Sequence, residues 1–420
     1  MRLESMISSP FSRPLRAWRS VCQIIIAMIC LATAPATAAY TETAPQGVFL
    51  FENSVIFSRI QGHWHDDGSL GSLLEPVERY EVGGGLQGVL IADVDARFRV
   101  VVPMLLYGIT DDISAFVGVP VVLLTSINPD LDWIPGDFSP QIGRAYSEDD
   151  FWEWAGSMGQ PKPGPWEGNR NTLSDTVIGG RWRFSDRIRK QLPDGLHLAV
   201  SAFAALPTGE QPDPEEIVAV GTDSWSLHSQ GELGLHLSAD YDLMGLMDER
   251  VLVGADVFYE AFLPRTYYSS TGEIHPLLLN ERPYVGETYR MNPGDFAGIE
   301  LTATVTAIRG PARETWLTRR APGLADSQPP LLRLSFTYGF TGVMQSRWYS
   351  ESEIWNWDQE RFWAPGYKNI LGAQASISLL RLGVPLDIQA GATSLNLLPG
   401  RNVRAPEMLT AAVRVPMKFW

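Results

Sequence analysis

The chain has 420 residues, of which 38 are glycine, 30 are proline and 14 are tryptophan, and its formal charge at pH 7 is −15. An acidic chain repels phosphates, so the composition excludes a nucleic-acid partner. Outside the N-terminus no run of 18 apolar residues occurs, which excludes helical membrane spans.

The N-terminus has the pattern of a secretory signal peptide. Arginines at positions 2, 13, 16 and 19 precede an apolar stretch from Val21 to Leu31, and Ala36-Thr37-Ala38 is a small-residue cleavage site. A lipoprotein signal at Cys30 is the alternative, but the bulky Ile29 before it does not suit that pattern. We therefore predict a signal peptide at residues 1–38 and a mature chain at 39–420.

Cleavage after Ala38 would change the chemistry of the chain. Both cysteines, Cys22 and Cys30, leave with the signal, so no disulfide framework or thiol chemistry is expected. The lost segment also carries four Arg and one Glu, which takes the formal charge from −15 to −18.

Polar and apolar residues alternate along most of the remaining chain, a pattern that predicts strands with two different faces. It is clearest from Asp93 to Met104, from Trp225 to Leu243 and from Leu332 to Phe340. Most of the segments are long enough to cross a bilayer as tilted strands. Twelve are predicted, at 47–59, 93–106, 113–125, 174–186, 195–206, 225–243, 250–262, 295–308, 331–342, 368–381, 385–396 and 406–419.

These segments predict an all-β fold: a transmembrane antiparallel β-barrel of about twelve strands with long extracellular loops. With a periplasmic N-terminus, short and long connections should alternate, and nearly all do. Arg309–Pro330 is long where a short turn is expected, so a missed hairpin there would give fourteen strands. A soluble sandwich, propeller or lipocalin-type barrel also alternates, but it would turn its polar face outward, whereas the apolar faces here form continuous bands.

The chain ends in an aromatic pair, Phe419 and Trp420, which closes an amphipathic strand. Such an ending is similar to the signal read by the barrel assembly machinery, although Phe419 rather than the last residue lies on the apolar face. The predicted location is the bacterial outer membrane, with membrane lipid and lipopolysaccharide as neighbours.

The predicted inward faces carry both signs of charge in similar number. They could form a charged constriction, as rings of charge do in pores, or a salt-bridged interior that fills a narrow barrel. The residues predicted to line the lumen are Asp93, Asp95, Arg97, Arg99, Arg181, Arg183, His228, Glu232, His236, Asp240, Asp256, Glu300, Arg333, Asp387, Arg414 and Lys418.

Metal ligands are weakly indicated. Successive members of the series His228, Glu232 and His236 would be roughly 13 Å apart on a strand, too far to share a metal. His63 and His65 in the first outer loop could project together, although an exposed acidic loop tip explains them as well. No metal site and no cofactor are predicted.

Two outer loops have features of their own. Ser147 and Asp150 resemble a capping box, which predicts a short lid helix over the mouth of the barrel. Trp355, Trp357, Phe362 and Trp363 crowd another loop, where they suit either the headgroup boundary or a greasy substrate.

Several short, Gly-rich strings, taken in order, resemble the outer-membrane family named for the meta-pathway of phenol degradation, a relative of the long-chain fatty-acid transporters. They are Gln46-Gly47-Val48-Phe49, Tyr107-Gly108-Ile109-Thr110-Asp111-Asp112, Gly118-Val119-Pro120-Val121, Ser174-Asp175-Thr176-Val177-Ile178-Gly179-Gly180-Arg181-Trp182 and Leu206-Pro207-Thr208-Gly209-Glu210. The resemblance covers residues 46–243. It implies passage of hydrophobic or aromatic compounds across the outer membrane.

The predicted function is an outer-membrane channel or diffusion transporter for small, hydrophobic or aromatic molecules. One alternative is a closed barrel whose acidic, Trp-rich outer loops bind surface ligands or lipopolysaccharide. The third is an outer-membrane hydrolase, but no Ser, His and Asp motif indicates one. No enzymatic activity and no catalytic residue are predicted.

Overall fold

The computed structural model describes residues 40–72, 76–81, 84–157, 162, 164–168, 171–209, 231–243, 251–268, 288–292, 294–310, 319, 329–345, 347–349 and 365–418. Strands dominate them. In chain order they are β1 (Phe49–Trp64), β2 (Leu70–Ser72), β3 (Val77–Tyr80), β4 (Leu86–Gly108), β5 (Ile113–Gly118), β6 (Val121–Pro135), β7 (Phe138–Ser139), β8 (Arg144–Ala145), β9 (Trp166–Gly168), β10 (Thr172–Leu173), β11 (Thr176–Trp182), β12 (Leu196–Leu206), β13 (Glu232–Asp242), β14 (Val251–Phe262), β15 (Arg265–Tyr268), β16 (Thr288–Asn292), β17 (Phe296–Ile308), β18 (Leu332–Val343), β19 (Arg347–Tyr349), β20 (Gly366–Ser378), β21 (Asp387–Leu395) and β22 (Val403–Met417).

Three described segments are helical. The α-helix α1 (Glu148–Ser157) lies in an outer connection, and two 3₁₀ segments, Phe184–Gln191 and Leu379–Leu382, connect strands. No helix among the described residues is long and apolar enough to cross a membrane.

The strands form a closed antiparallel barrel. Pairing runs from β1 to β4, then to the interrupted strand formed by β5 and β6, to β10 and β11, and on through β12, β13, β14, β17, β18, β20, β21 and β22. The ring closes because β22 pairs with β1 from Phe49↔Met417 to Trp64↔Val403. Counting β5 with β6 and β10 with β11 gives twelve wall strands. The predicted fold is confirmed.

The long connection at Arg309–Pro330 adds nothing to the wall. The strands on either side of it, β17 and β18, pair directly from Phe296↔Val343 to Ile308↔Leu332. No hairpin can stand between two strands that already share hydrogen bonds, so the barrel has twelve strands and not fourteen.

The two ends of the barrel differ. Both chain termini of the wall, Phe49 and Met417, lie at one end, which we call the termini end. Short connections such as 109–112 and 379–386 return there, whereas most connections at the opposite, far end are long. At the far end β4 and β6 pair from Val101↔Val121 up to Gly88↔Pro135, and β2 and β3 continue beside them as an extension of the wall.

A band of apolar side chains covers the outside of the barrel. On β13 the outward residues Leu233, Leu235 and Leu237 are each more than half exposed, and Val257 and Phe336 are similar on β14 and β18. The alternating residues on these strands point inward and are mainly polar. This arrangement of apolar outside and polar inside is the reverse of a water-soluble barrel.

Candidate functional site

The inward sides of β13, β14 and β17 carry a concentration of carboxylates, which we call the acidic face. The structure places four predicted lumen residues there, Glu232 and Asp240 on β13, Asp256 on β14 and Glu300 on β17. A fifth, Glu260, was not among the predicted residues. It follows Asp256 by two steps of strand alternation, so the same pattern could have found it.

His236 ties two strands of the acidic face together. Its Nδ1 lies 2.7 Å from Asp256 Oδ2, and its Nε2 lies 3.5 Å from Glu260 Oε1. The imidazole lies between two phenylalanine rings, with centroids 5.8 Å from Phe203 and 5.6 Å from Phe258. His236 is therefore a buried structural link across the sheet, and its partners are on β14 rather than on its own strand.

Glycines make room for these rings. A methyl group added at Gly234 would overlap the Phe203 ring, and one at Gly298 would overlap the Phe340 carbonyl oxygen and the Phe258 ring. Because the aromatic rings lie flat over glycine backbone, the acidic face is lined by alternating carboxylates and rings.

This cluster does not have the geometry of a Ser-His-Asp hydrolase. Ser238 Oγ donates to Asp256 Oδ1 at 2.5 Å, and His236 contacts the other oxygen of the same carboxylate. In a catalytic triad the imidazole stands between the acid and the hydroxyl, so that it can take the hydroxyl proton. Here the carboxylate stands between the two.

Elsewhere the interior is salt-bridged. Arg414 Nε and Nη2 donate to Glu52 Oε2 at 2.9 and 2.6 Å, and both side chains are buried. Arg333 Nη1 lies 3.1 Å from Glu42 Oε1, and Arg181 Nε donates to Ser201 Oγ at 2.9 Å. These contacts favour the interpretation that mixed charges fill the interior over that of a ring of one sign.

The segment before β1, residues 40–46, enters the barrel from the termini end. Tyr40 Oη lies 2.5 Å from Thr302 Oγ1 and 3.3 Å from Glu300 Oε2, and the Thr41 N–H donates to Asp240 Oδ2 at 2.6 Å. Its contacts therefore reach two strands of the acidic face, and Thr41 is buried.

The same segment is bound by residues outside the acidic face as well. The Glu42 carbonyl oxygen accepts a hydrogen bond from Arg181 Nη1, and its carboxylate accepts one from Arg333 Nη1. The Ala44 N–H donates to Ser114 Oγ at 2.8 Å. Side chains from β5, β11, β13, β17 and β18 thus bind one extended segment. It crosses and narrows the interior of the barrel near the termini end.

A cavity of about 170 Å³ opens beside this segment at the termini end. Four predicted lumen residues, Arg183, Arg333, Asp387 and Arg414, line it together with Glu42. Lys418 follows the last strand at the same end, with its Cε close to Gly47. Five predicted lumen residues and Glu42 therefore lie together at the termini end of the barrel.

Four predicted lumen residues are wrong. Asp93, Asp95, Arg97 and Arg99 lie on the outward side of β4, and Asp95 binds the guanidinium groups of Arg59 and Arg97 at 2.9 and 2.6 Å. Between them, Val94, Ala96, Phe98 and Val100 are at most 2% exposed on the inward side. Asp93, Asp95 and Arg97 lie in the far-end extension, where β4 pairs with β6, whereas Arg99 lies beside the outward Phe57 of β1.

Beyond Glu52, the inward sides of β1, β4 and β6 consequently form a mainly apolar face, in which Ser58 and Thr125 are the buried polar members. Its large members lie on all three strands, and all are buried. They are Ile56, Ile60, Val94, Phe98, Val100, Val102, Met104 and Ile127.

The predicted lid helix is present as α1. Ser147 Oγ and N–H both contact Asp150 Oδ2 at 2.7 Å, which is the capping arrangement expected at its N-terminus. Phe151 is buried and stacks on Trp133 with ring centroids 4.7 Å apart, on the same side of β6 as Ile127. The helix therefore lies over the inward side of the far-end extension.

Electrostatics support this cap. The Arg144 guanidinium and the Ser147 N–H and hydroxyl hold the pKa of Asp150 well below its usual range. The pKa of Glu148 is lowered by hydrogen bonds from Lys162 and Trp152. Both acidic groups lie in the first turn, where negative charge also suits the helix dipole.

The first outer loop brings His63 and His65 together, with ring centroids 5.6 Å apart. Its Asp66 binds Arg401 Nη2 at 2.8 Å instead of turning toward the histidines. Among the described residues no three His, Cys, Asp or Glu side chains are grouped so that they could hold a metal ion.

Some predictions fall outside the described residues. These are the signal peptide at 1–38, His228, the aromatic cluster Trp355, Trp357, Phe362 and Trp363, and the terminal pair Phe419 and Trp420.

No protein-family model matches the chain, and no curated protein matches it. Among solved structures it is similar to an outer membrane channel from Pseudomonas putida F1, with 11% identity over 90% of this chain and 98% of that one and a TM-score of 0.48. It is also similar to the beta domain of the Bordetella autotransporter BrkA, with 9% identity over 89% of this chain and 100% of that one and a TM-score of 0.33. A Pseudomonas aeruginosa FadL homologue is similar with 9% identity over 89% of this chain and 90% of that one and a TM-score of 0.27. With every TM-score below 0.5, the fold assignment rests on the strand pairings themselves.

Proposed function

We propose that this protein is an outer-membrane channel or passive diffusion transporter for small hydrophobic or aromatic molecules, exported by the signal peptide at 1–38. The observation that carries the proposal is the closed twelve-strand ring with an apolar outside and a polar inside. A closed barrel leaves no unpaired strand edge in lipid, and an outward apolar band is what a bilayer requires.

The connections support an orientation. In outer-membrane barrels the short turns lie in the periplasm and the long loops outside. The termini end would then face the periplasm, and the far-end extension with α1 would face the exterior. Membrane lipid and lipopolysaccharide would surround the barrel, which the assembly machinery would insert by reading Phe419 and Trp420.

The substrate class comes from two sources. The resemblance to the phenol meta-pathway family implies hydrophobic or aromatic compounds, and the apolar face, which is buried in this structure, would give such compounds a compatible lining once the interior opens. A solute on this route must pass residues 40–46, so that segment would have to shift for transport.

The test measures conductance in planar bilayers, using a variant in which a disulfide can fix residues 40–46 to the barrel wall. Ala44→Cys with Ser114→Cys joins two residues whose N–H and Oγ are 2.8 Å apart, and the predicted mature chain has no other cysteine. We expect conductance after reduction and a clear loss after oxidation, with the Ser114→Cys single variant unaffected by either treatment. Absence of conductance in the wild type and in the reduced variant, together with no uptake of phenol or fatty acid by cells, would contradict the proposal.

A second function is favoured by the far-end extension, whose outward side carries Asp93, Asp95 and Arg97 above the apolar band. It is a closed barrel whose outer loops bind surface ligands or lipopolysaccharide. Deleting residues 138–165 removes α1 and spares wall strand β6. The second function would be favoured by two results together: the wild type shows no conductance, and the deletion variant loses the lipopolysaccharide binding that the wild type has.

A further inference from the structure

The acidic face and the apolar face stand opposite each other across the barrel. In the ring of twelve wall strands, β1 is the first, β4 the second, β14 the seventh and β17 the eighth. Strands six places apart in a closed ring of twelve lie on opposite sides. The apolar face on β1 and β4 therefore faces the acidic face on β14 and β17.

The two faces are also at similar depth. Depth is counted here in residues from the termini end of each strand. Ile56 is seven residues from Phe49, where β1 starts, and Glu260 is nine residues from Val251, where β14 starts. Glu300 is eight residues from Ile308, the termini-end limit of β17. Because each step along a strand is about 3.3 Å, these positions differ by only a few ångströms along their strands.

The acidic face has more charge than its neighbours neutralise. Five carboxylates stand against three cationic side chains: His236, the buried Lys368 on β20 and Arg181 on β11, which interacts with Asp240 and Asp256. Glu232, Glu260 and Asp240 are each at most 3% exposed, and each has one oxygen with no hydrogen-bond partner, namely Glu232 Oε1, Glu260 Oε2 and Asp240 Oδ1. A buried carboxylate oxygen without a donor is costly, so Glu232 and Glu260, which are diagonal neighbours on β13 and β14, point to a donor or a cation that binds them. Asp240 lies eight residues from Glu232 along β13 and is bound by Thr41 instead.

The rings around His236 narrow the chemistry further. Phe203 and Phe258 pack against the His236 imidazole, so the surroundings of these carboxylates are apolar as well as acidic. Carboxylates in apolar surroundings suit an organic cation with an apolar body, whereas an anion would be repelled.

We propose that the interior is a binding site for hydrophobic cations, molecules with an apolar or aromatic body and one positive charge. The charge is held by Glu232 and Glu260, and the body lies toward Phe98, Val100 and Ile56. The inference deepens the proposed channel function by naming the charge of the substrate, and it rests on that function for transport but not for binding.

The experiment compares tetraphenylphosphonium with tetraphenylborate, which share a shape and differ in the sign of charge. Binding to the purified full-length barrel in detergent is measured by titration calorimetry, and permeation by reversal potentials in planar bilayers. We expect the cation to bind at least tenfold more tightly, a difference of about 1.4 kcal/mol or more. Glu232→Gln with Glu260→Gln should remove most of this preference.

Asp93→Asn with Asp130→Asn is the matched control, because it removes two carboxylates on the outward side of the extension. It should leave the preference unchanged. Resistance to denaturation in SDS gels shows whether each variant has folded, and Glu232→Gln alone serves if the double variant has not.

Equal binding of the two probes, or a preference that the control removes as fully as the interior variant does, would overturn the inference. The two proposals can fail separately. If the wild type conducts but does not prefer the cation, the channel proposal stands and the cation site is contradicted. If it binds the cation but does not conduct, the cation site stands and the channel proposal is contradicted.

Discussion

Strands β4 and β13 have the same alternation of charged and apolar residues, yet they are turned in opposite directions. On β13 the charges of Glu232, His236 and Asp240 face the interior and the leucines between them face outward. On β4 the valines and Phe98 face the interior, and Arg97 and its charged neighbours face outward.

Position relative to the apolar band explains the difference. In the proposed membrane orientation the outward residues of β13 lie within the band, where a charge would contact lipid, so only apolar residues are stable there. Asp93, Asp95 and Arg97 of β4 pair with Ser126 to Asp130 of β6 in the far-end extension, which that orientation places in water. Alternation fixes that a strand has two faces, and the surrounding solvent decides which one is outward.

The largest expected effect tests the inward direction of Phe98. Its side chain is 1% exposed, so Phe98→Ala should lower the free energy of unfolding by about 3–5 kcal/mol. Arg97→Ala, one residue away on the outward side, should cost less than about 1 kcal/mol. Urea unfolding in lipid vesicles measures both. Similar losses at the two positions would mean that β4 is turned the other way.

The next effect tests the apolar band. Leu235 on β13 is 55% exposed, and Leu235→Arg should destabilise the barrel in vesicles by about 2–4 kcal/mol, because the charge would lie in lipid. Asp93→Arg places the same side chain on the outward side of the β4 extension and should cost little. An equal cost for the two substitutions in the same unfolding assay would remove the distinction between the strands.

The smallest effect concerns α1, which covers the inward side of the extension. Because the pKa of Asp150 is lowered in the folded protein, its contribution to the cap is present above its unfolded pKa of about 3.9 and is lost as the pH falls below it. We expect amide hydrogen exchange in Phe151–Trp154 to accelerate in that range, after correction for intrinsic rates. Asp150→Asn should abolish this pH dependence, and an unchanged profile in the variant would contradict the role of the carboxylate.

The strand positions could be predicted because the twelve segments alternate over lengths that suit a bilayer, and each overlaps a wall strand of the structure. The capping box before α1 was also local enough to predict, since Ser147 and Asp150 are three residues apart. The direction of β4 could not be predicted, because its charged and apolar faces are equally regular and nothing local records where the apolar band ends.

The interior shows the same division. Sequence alone determined that this chain forms two-faced strands of about the right number, with charges of both signs among the residues that alternate inward on β13, β14, β17 and β22. Only the tertiary structure decided which charges meet, as in Glu52 with Arg414, 362 residues apart, and that residues 40–46 enter the lumen. It also set the acidic face opposite the apolar one, because ring closure through β1 and β22 determines which strands oppose each other, and closure depends on pairing between the two ends of the chain.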